Sequence, residues 1–206
     1  MVTLVHVFAA AVLAATPLAS QAQNLVTNGS FEQHTPEIDY WRITPTLIGW
    51  SGAPDIELRN NYDGTAQDGT NFVELDTFAN SAMSQAIHAA GVVELTFWYA
   101  GRPNVAAGSN HLSFSLGNLS GTLLTDVAGG GTIEWIKYTG VADLGASGSA
   151  TLTFTALGTS DMAGGSLDSI SVTAVPEPRT VALMIAGLGL VGGVASRRRA
   201  TKSTAA

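Results

Sequence analysis

The 206-residue sequence contains no cysteine, which excludes disulfide bridges, thiolate metal sites and a cysteine nucleophile. Basic residues are scarce in the central part of the chain, where 24–173 hold four Lys and Arg against 15 Asp and Glu, a net charge of −11. A surface of that sign repels phosphate backbones, so a nucleic acid is a poor partner. Calcium or a neutral sugar suits this charge better.

Familiar catalytic signatures are also missing. The chain has no Gly-x-Ser-x-Gly, no His-Glu-x-x-His and no phosphate-binding glycine loop. The acidic pairs Asp55/Glu57 and Glu74/Asp76 are each spaced to share one strand face, where two carboxylates could serve glycoside hydrolysis. We favour the alternative that they lie on a solvated outer face. The sequence therefore predicts a protein that is not an enzyme.

The two ends of the chain differ in composition from the middle. Residues 1–22 are mostly apolar and end in Ser20-Gln21-Ala22, which offers the small residues of a signal-peptidase site, although no Lys or Arg precedes the apolar run. We predict an N-terminal signal helix that directs the chain to the Sec translocon and that signal peptidase removes.

The C-terminal segment consists of three parts in a fixed order. Val175-Pro176-Glu177-Pro178 comes first, the uncharged run 180–196 follows, and Arg197-Arg198-Arg199 closes it. The prolines favour an extended, accessible peptide. The run of about 17 residues is at the lower limit for a membrane-spanning helix, and the arginines keep its end in the cytoplasm. We predict a transmembrane helix over 180–196 and a cytoplasmic tail over 200–206.

This arrangement over 175–199 resembles the PEP-CTERM sorting signal of Gram-negative bacteria. The resemblance implies that an exosortase, a membrane-embedded cysteine transpeptidase, recognises the Val-Pro-Glu-Pro tetrapeptide and removes the helix. It also implies an inner-membrane intermediate, then release or attachment at the cell surface or extracellular matrix, often alongside exopolysaccharide production. An ordinary C-terminal anchor would explain the helix and the arginines, but not the Pro-Glu-Pro.

The body of the chain, 24–173, alternates apolar and polar residues with the period of a strand and shows no sustained helical period. Turn signals such as Asp63-Gly64 and Gly101-Arg102-Pro103 separate the alternating segments. About nine or ten short strands at near-regular spacing predict one all-β domain, a jelly-roll β-sandwich. The predicted strands are 25–31, 54–59, 71–77, 82–88, 93–99, 112–116, 122–127, 132–143, 152–156 and 167–175.

Short motifs at both ends of the body carry a second resemblance. The body opens with Asn28-Gly29-Ser30-Phe31-Glu32 and closes with Leu167-Asp168-Ser169-Ile170. It resembles galactose-binding-like jelly rolls, which include carbohydrate-binding modules. The resemblance implies neighbouring first and last strands and a structural calcium ion held by Glu32 and Asp168, with Asn28 as a weaker addition. The alternative is that these side chains hydrogen-bond loop backbone and bind no metal.

Sugar binding needs an exposed aromatic ring and a few fixed polar groups. Trp98 is out of phase with the apolar face of its strand, and Trp41 lies in a polar segment beside Arg42. Trp98, Trp41 and Tyr62 are therefore the candidate stacking residues, and the alternative is that they cap the sandwich. We expect Arg102 to pair with a local acid rather than with a ligand carboxylate.

These patterns together predict an exported, non-catalytic surface or matrix protein that associates with carbohydrate, in particular exopolysaccharide. Two alternatives stay open: a structural or adhesive matrix protein without a specific small ligand, and a glycan-active enzyme. An exposed tryptophan on a concave face would favour sugar binding, and buried aromatics would favour the structural role. A cleft that pairs two carboxylates, one with a raised pKa, would favour the enzyme.

Overall fold

The computed structural model describes residues 23–34, 40–123, 131–176 and 185–191. The predicted signal at 1–22, the Arg197-Arg198-Arg199 stub and the tail at 200–206 lie outside these residues. Of the predicted 180–196 helix, 185–191 is described and is helical. Within the described ranges, no helix has the length and apolar character needed to cross a membrane.

The described part of the body contains ten strands, and their side chains alternate between core and surface as the sequence predicts. In β5, for example, Leu95 and Phe97 are buried, while Glu94 and Thr96 are partly exposed. The strands are β1 (Tyr40–Leu47), β2 (Trp50–Asn60), β3 (Asn71–Glu74), β4 (Ala82–Ile87), β5 (Val92–Ala100), β6 (Leu112–Leu116), β7 (Leu119–Leu123), β8 (Ile136–Asp143), β9 (Ala150–Ala156) and β10 (Ser166–Ala174).

The strands form a jelly-roll sandwich whose two layers meet at β2. Neighbours pair antiparallel in the order β7-β6-β9-β4-β2-β3-β10-β5-β8. The first part of β2, from Ser51, pairs with β4, and its last part, from Glu57, pairs with β3. β1 pairs with the other edge of β2. The β1–β2 hairpin therefore belongs to both layers, and the predicted fold class is confirmed.

Aromatic rings from both layers interlock in the core. The ring centroid of Phe97, on β5, lies 5.2 Å from that of Phe114, 5.0 Å from that of Phe154 and 4.8 Å from that of Tyr138. Trp50 extends this cluster towards the start of the body, because its ring lies 6.3 Å from Phe154. These rings provide much of the apolar burial that holds the layers together.

Two strand predictions at the start of the body are wrong. Residues 25–31 form turns instead of a strand, because Asn28 and Phe31 adopt positive φ angles of 56° and 60°, which no strand accommodates. The first full strand is β1, in a segment that looked like a polar loop because much of it is exposed at the edge of the hairpin. Of the strand predicted at 122–127, residues 122–123 belong to β7, which begins earlier, at Leu119. Residues 124–127 lie outside the described ranges.

Replacing Phe97 with alanine tests the role of the ring cluster. We expect Phe97→Ala to lower the free energy of unfolding by about 3–5 kcal/mol, because it leaves a cavity between the layers. Urea unfolding followed by tryptophan fluorescence measures the loss. The neighbouring Thr96→Ala, on the outer face of the same strand, serves as control and should change stability by about 0.5 kcal/mol or less. Equal losses in the two variants would contradict this view of the core.

Candidate functional site

Charged side chains gather on the outer face of the sheet where β1, β2 and β3 lie side by side. Strand register places Arg59 of β2 opposite Trp41 of β1, and Glu57 opposite both Ile43 of β1 and Glu74 of β3. Alternation directs the intervening β2 residues into the core, so the charged set occupies the opposite face.

Arg59 is the centre of this set, and its side chain is only 1% exposed. Its Nε donates a 2.7 Å hydrogen bond to Glu57 Oε1, and its Nη2 forms an ion pair with Glu74 Oε2. Its Nη1 lies 3.7 Å from Asp63 Oδ2 and has no hydrogen-bond partner among the described residues. The pairing compensates for removing a guanidinium from water.

A second arginine closes the cluster from the segment after β5. Arg102 donates hydrogen bonds of 2.6 Å to Asp63 Oδ2, 3.3 Å to Glu74 Oε2 and 3.1 Å to the carbonyl of Met162. The expectation that Arg102 pairs with local acids is therefore confirmed. These bonds join three separate loops, 61–70, 101–111 and 157–165, over one end of the sheet.

The prediction that the paired carboxylates lie on a solvated face is wrong for three of the four. Glu74 and Asp76 are fully buried, and Glu57 is nearly so. The covering loops supply backbone donors to them: Gly164 donates to Glu74, and Asp161 donates to Asp76. Spacing in the sequence correctly placed Asp55 and Glu57 along one strand, whereas β3 ends at Glu74 and Asp76 lies beyond it. Spacing could not indicate that long loops fold back over these carboxylates.

A cleft of about 200 Å³ opens above the charge cluster. Two exposed aromatic residues, Trp41 at 40% and Phe78 at 73%, line it together with Tyr62. The ring of Tyr62 also lies 5.9 Å from Cζ of Arg59. The remaining lining residues are Ile43, Glu57, Arg59, Thr77, Arg102 and Met162. The cleft thus combines apolar rings at its rim with fixed charges at its base.

The structure brings together two of the three predicted stacking residues, Trp41 and Tyr62, and separates Trp98 from them. Trp98 is half-buried on β5, between Asp168 of β10 and Lys137 of β8. Sequence patterns missed Phe78, although a large apolar residue in a turn between two predicted strands was an available signal.

Burial raises the pKa values of two acids on this face of the sheet. It raises the pKa of Glu74 to about 8, against the opposing effect of Arg59 and Arg102. Burial likewise raises the pKa of Asp168 to about 7, against the opposing effect of the backbone N–H groups that donate hydrogen bonds to it. Because both oxygens of Glu74 already accept hydrogen bonds, this carboxyl serves to hold Arg59, Arg102 and Gly164 in place.

The residues predicted to hold calcium both contact one loop, 67–71. Glu32 Oε1 accepts hydrogen bonds from the backbone of Thr70 and Asn71, at 2.8 and 2.6 Å. Asp168 Oδ2 accepts bonds from the backbone of Gln67 and Asp68, at 2.9 and 3.0 Å. Glu32 near the start of the body and Asp168 near its end therefore hold the same loop, as expected if the two ends lie close together.

The hydrogen bonds of these side chains account for their positions without a calcium ion. Asn28, the third predicted ligand, donates to the carbonyl of Ile48 and accepts from the backbone of Gln33. Among the described residues, no three His, Cys, Asp or Glu side chains gather as a metal-binding group. The oxygens of Glu32 and Asp168 fit loop anchoring, and calcium stays a prediction.

The sorting tetrapeptide begins directly at the end of the body. Val175 is 41% exposed, and its N–H donates a 3.0 Å hydrogen bond to the carbonyl of Val92. Pro176 is the last described residue of the segment, so Glu177 and Pro178 lie outside the description.

A comparison with known protein families identifies the C-terminal segment. Residues 174–199 match the family described as the PEP-CTERM protein-sorting motif. The resemblance of the tail is therefore confirmed, and it marks the chain for export through a membrane-anchored intermediate that an exosortase processes. No curated protein sequence matches the chain.

Solved structures with similar architecture cover the body. The Stig cyclase Fisc from Fischerella sp. TAU shares 12% identity with a TM-score of 0.54, over 76% of this chain and 99% of the cyclase. The module TmCBM61, solved with β-1,4-galactotriose, shares 20% identity with a TM-score of 0.48, over 75% and 100%. A family 35 carbohydrate-binding module from Clostridium thermocellum shares 16% identity with a TM-score of 0.44, over 66% and 99%. At such identities the likeness to the cyclase supports the fold alone.

The raised pKa of Glu74 predicts how stability depends on pH. An acid whose pKa is higher in the folded than in the unfolded state stabilises the fold at low pH, and this contribution is lost as the pH rises through the folded value. Between about pH 5 and about pH 9, the wild type should therefore lose more stability than Glu74→Gln. Urea midpoints at both pH values measure the difference, which isolates Glu74 from other titrating groups.

The exposed Glu134→Gln is the matched control for this experiment and should behave like the wild type. A Glu74→Gln protein with the same pH dependence as the wild type would contradict the assignment.

Removing Glu32 tests whether its carboxylate anchors the loop. We expect Glu32→Ala to lower the free energy of unfolding by about 1–3 kcal/mol, because Thr70 and Asn71 lose a charged acceptor. Thermal melts with calcium and with chelator, on the wild type, test the calcium prediction in parallel. Equal melting temperatures would reject calcium, whereas an unchanged stability of Glu32→Ala would reject the anchoring role.

Proposed function

We propose that the exported body binds carbohydrate in the cleft between Trp41 and Tyr62. The observation that carries this proposal is the meeting of exposed aromatic rings with a base of fixed charged groups. A ring can stack on the C–H face of a sugar, while the charged groups orient its hydroxyls. Neither Trp41 nor Phe78 has a burial role that would explain its position, since both are well exposed.

The base of the cleft suits a neutral sugar better than an acidic one. Arg102 offers guanidinium donors to the cleft, and Glu57 offers a carboxylate. A hydroxyl both accepts and donates, so it can bond to one of each. A carboxylate on the ligand would instead face Glu57, at a body that already carries excess negative charge.

The volume of the cleft indicates the size of its ligand. At about 200 Å³ it is smaller than the pockets of about 300–1,000 Å³ that enclose small molecules. It accommodates one sugar unit, whose neighbours in the polymer would extend over the exposed rim. This geometry favours recognition within a polysaccharide over capture of a free small molecule.

The sorting motif indicates where in the cell this carbohydrate binding would occur. An exported protein processed by an exosortase reaches the cell surface or the extracellular matrix, where exopolysaccharide is the abundant carbohydrate. The Sec translocon and signal peptidase would act before the exosortase. We infer that the mature body associates with this polymer and does not degrade it.

Glu57 lines the cleft and lies opposite Glu74 on β3, and this proximity, together with the raised pKa of Glu74, favours a glycan-active enzyme as a second candidate. Hydrolysis requires one carboxyl to donate a proton to the glycosidic oxygen and the other to act on the opposite face of the sugar. Glu74 is fully buried and bonded at both oxygens, which leaves it no route to the substrate. We therefore retain the non-catalytic assignment.

Binding of residues 23–176 to neutral polysaccharides, including the producing cell's own exopolysaccharide, tests the proposal by calorimetry. We expect Trp41→Ala and Tyr62→Ala each to weaken binding about tenfold or more, equivalent to about 1.4 kcal/mol. Trp98→Ala is the matched control, because Trp98 lies on the same sheet outside the cleft lining.

Two results would oppose the proposal. Loss of binding in Trp98→Ala with retention in Trp41→Ala would move the site to β5. A folded protein that binds no polysaccharide would favour the structural or adhesive role. Release of reducing sugar ends in the same samples would instead revive the enzyme.

A further inference from the structure

Both processed ends of the chain leave the body at the same pole. Near the start of the body, Asn24 forms a bridge with Thr173, and the N–H of Leu25 donates a 2.8 Å hydrogen bond to the carbonyl of Val172. These partners belong to the last residues of β10, immediately before the sorting tetrapeptide. The start of the described body therefore lies beside the end of β10.

Three turns surround this exit point. Gly91 donates a 2.9 Å hydrogen bond to the carbonyl of Gly145, and Leu144 donates one of 2.9 Å back to Gly91. Asn118 donates to the carbonyl of Asp143. The turns 88–91, 117–118 and 144–149 thus lie next to Val92, whose carbonyl holds Val175. We call the surface formed by these three turns and Val175 the tether pole.

The candidate cleft lies at the opposite pole. Glu57, which lines the cleft, pairs with Glu74 of β3, and Glu74 pairs with Ser166, the first residue of β10. The tether pole lies at Ala174, the last residue of β10. Strands rise about 3.3 Å per residue, so the two points are about 25 Å apart along β10.

We propose that the tether pole is the surface that docks against the membrane-embedded exosortase, with the cleft directed away from the membrane. The chain between Ala174 and the predicted span at 180 can extend only about 3.3–3.6 Å per residue. Val175 is itself hydrogen-bonded to Val92, which shortens this reach further. The enzyme must therefore work within a few residues of the folded body, and the body cannot turn its cleft towards the membrane without unpairing the end of β10.

The chemistry of the tether pole suits such close contact. The turn 144–149 reads Leu-Gly-Ala-Ser-Gly-Ser and is exposed from Gly145 onwards. A Cβ at Gly145 or Gly148 would meet no atom within 4 Å, so the space in front of this turn is open. The small side chains of this exposed turn let a second protein approach closely.

Processing of the full-length chain in cells that express an exosortase tests this inference. Ala146→Trp adds bulk to the exposed turn of the tether pole. We expect it to slow the conversion of precursor to mature form several-fold in a pulse-chase experiment. Thr132→Trp, an equal addition beside the Asp63 loop at the cleft pole, should leave the rate unchanged.

A linker distinguishes docking geometry from other effects. Inserting about ten Gly and Ser residues between Ala174 and Val175 places a flexible linker between the folded body and the sorting motif. We expect this insertion to restore processing of Ala146→Trp to the wild-type rate. Ser149→Trp, at the same pole, repeats the comparison so that the result does not depend on one variant, and thermal melts of each precursor verify its fold.

Wild-type processing of folded Ala146→Trp and Ser149→Trp would overturn the proposal. Equal slowing by Thr132→Trp would overturn it as well, and so would a slow variant that the linker does not rescue. None of these readouts involves carbohydrate, so the inference stands or fails independently of glycan binding in the cleft.

Discussion

The buried guanidinium of Arg59 is the constraint on which the functional end of this protein depends. A charge that is withdrawn from water must be paired, and removing one partner of a buried pair typically costs about 3–5 kcal/mol. Glu57 supplies the opposite charge from β2, and the buried Glu74 of β3 accepts from both Arg59 and Arg102. Arg102 and Asp63 extend the set to the covering loops. Ion pairs and backbone hydrogen bonds therefore fix the loops, including the one that carries Tyr62. Trp41 is held beside this loop by the pairing of β1 with β2.

The same sandwich separates two tasks along the length of β10. One end of the strand lies under the charge cluster and the cleft, and the other end holds Asn24 and Val175, where the chain leaves the body. Separation by about the length of the strand lets the body remain folded, with its cleft unobstructed, while an exosortase acts on the tail. This division depends on where β10 begins and ends in this chain, and the jelly-roll fold as such does not require it.

Much of the architecture could be predicted from the sequence because strand alternation is a local signal. The alternation of apolar and polar residues at 93–99 and 152–156 predicted β5 and β9. The order of the Pro-Glu-Pro, the uncharged run and the three arginines predicted the sorting motif. The start of the body could not be predicted in this way, since positive φ angles at Asn28 and Phe31 replace a strand with turns. Nor could the cleft, because Trp41, Tyr62 and Phe78 meet only through the pairing of β1 with β2 and through loops whose contacts are distant in the sequence.

Nuclear magnetic resonance of the four tryptophan indole N–H groups tests the central claim most directly. Residues 23–176 would be titrated with a neutral polysaccharide that the protein binds, and the signals of Trp41, Trp50, Trp98 and Trp135 would be followed separately. The account predicts a large, saturable shift of the Trp41 signal, with the buried Trp50 and the distant Trp98 nearly unchanged. A shift of Trp98 while Trp41 stays in place would contradict a cleft built on Arg59.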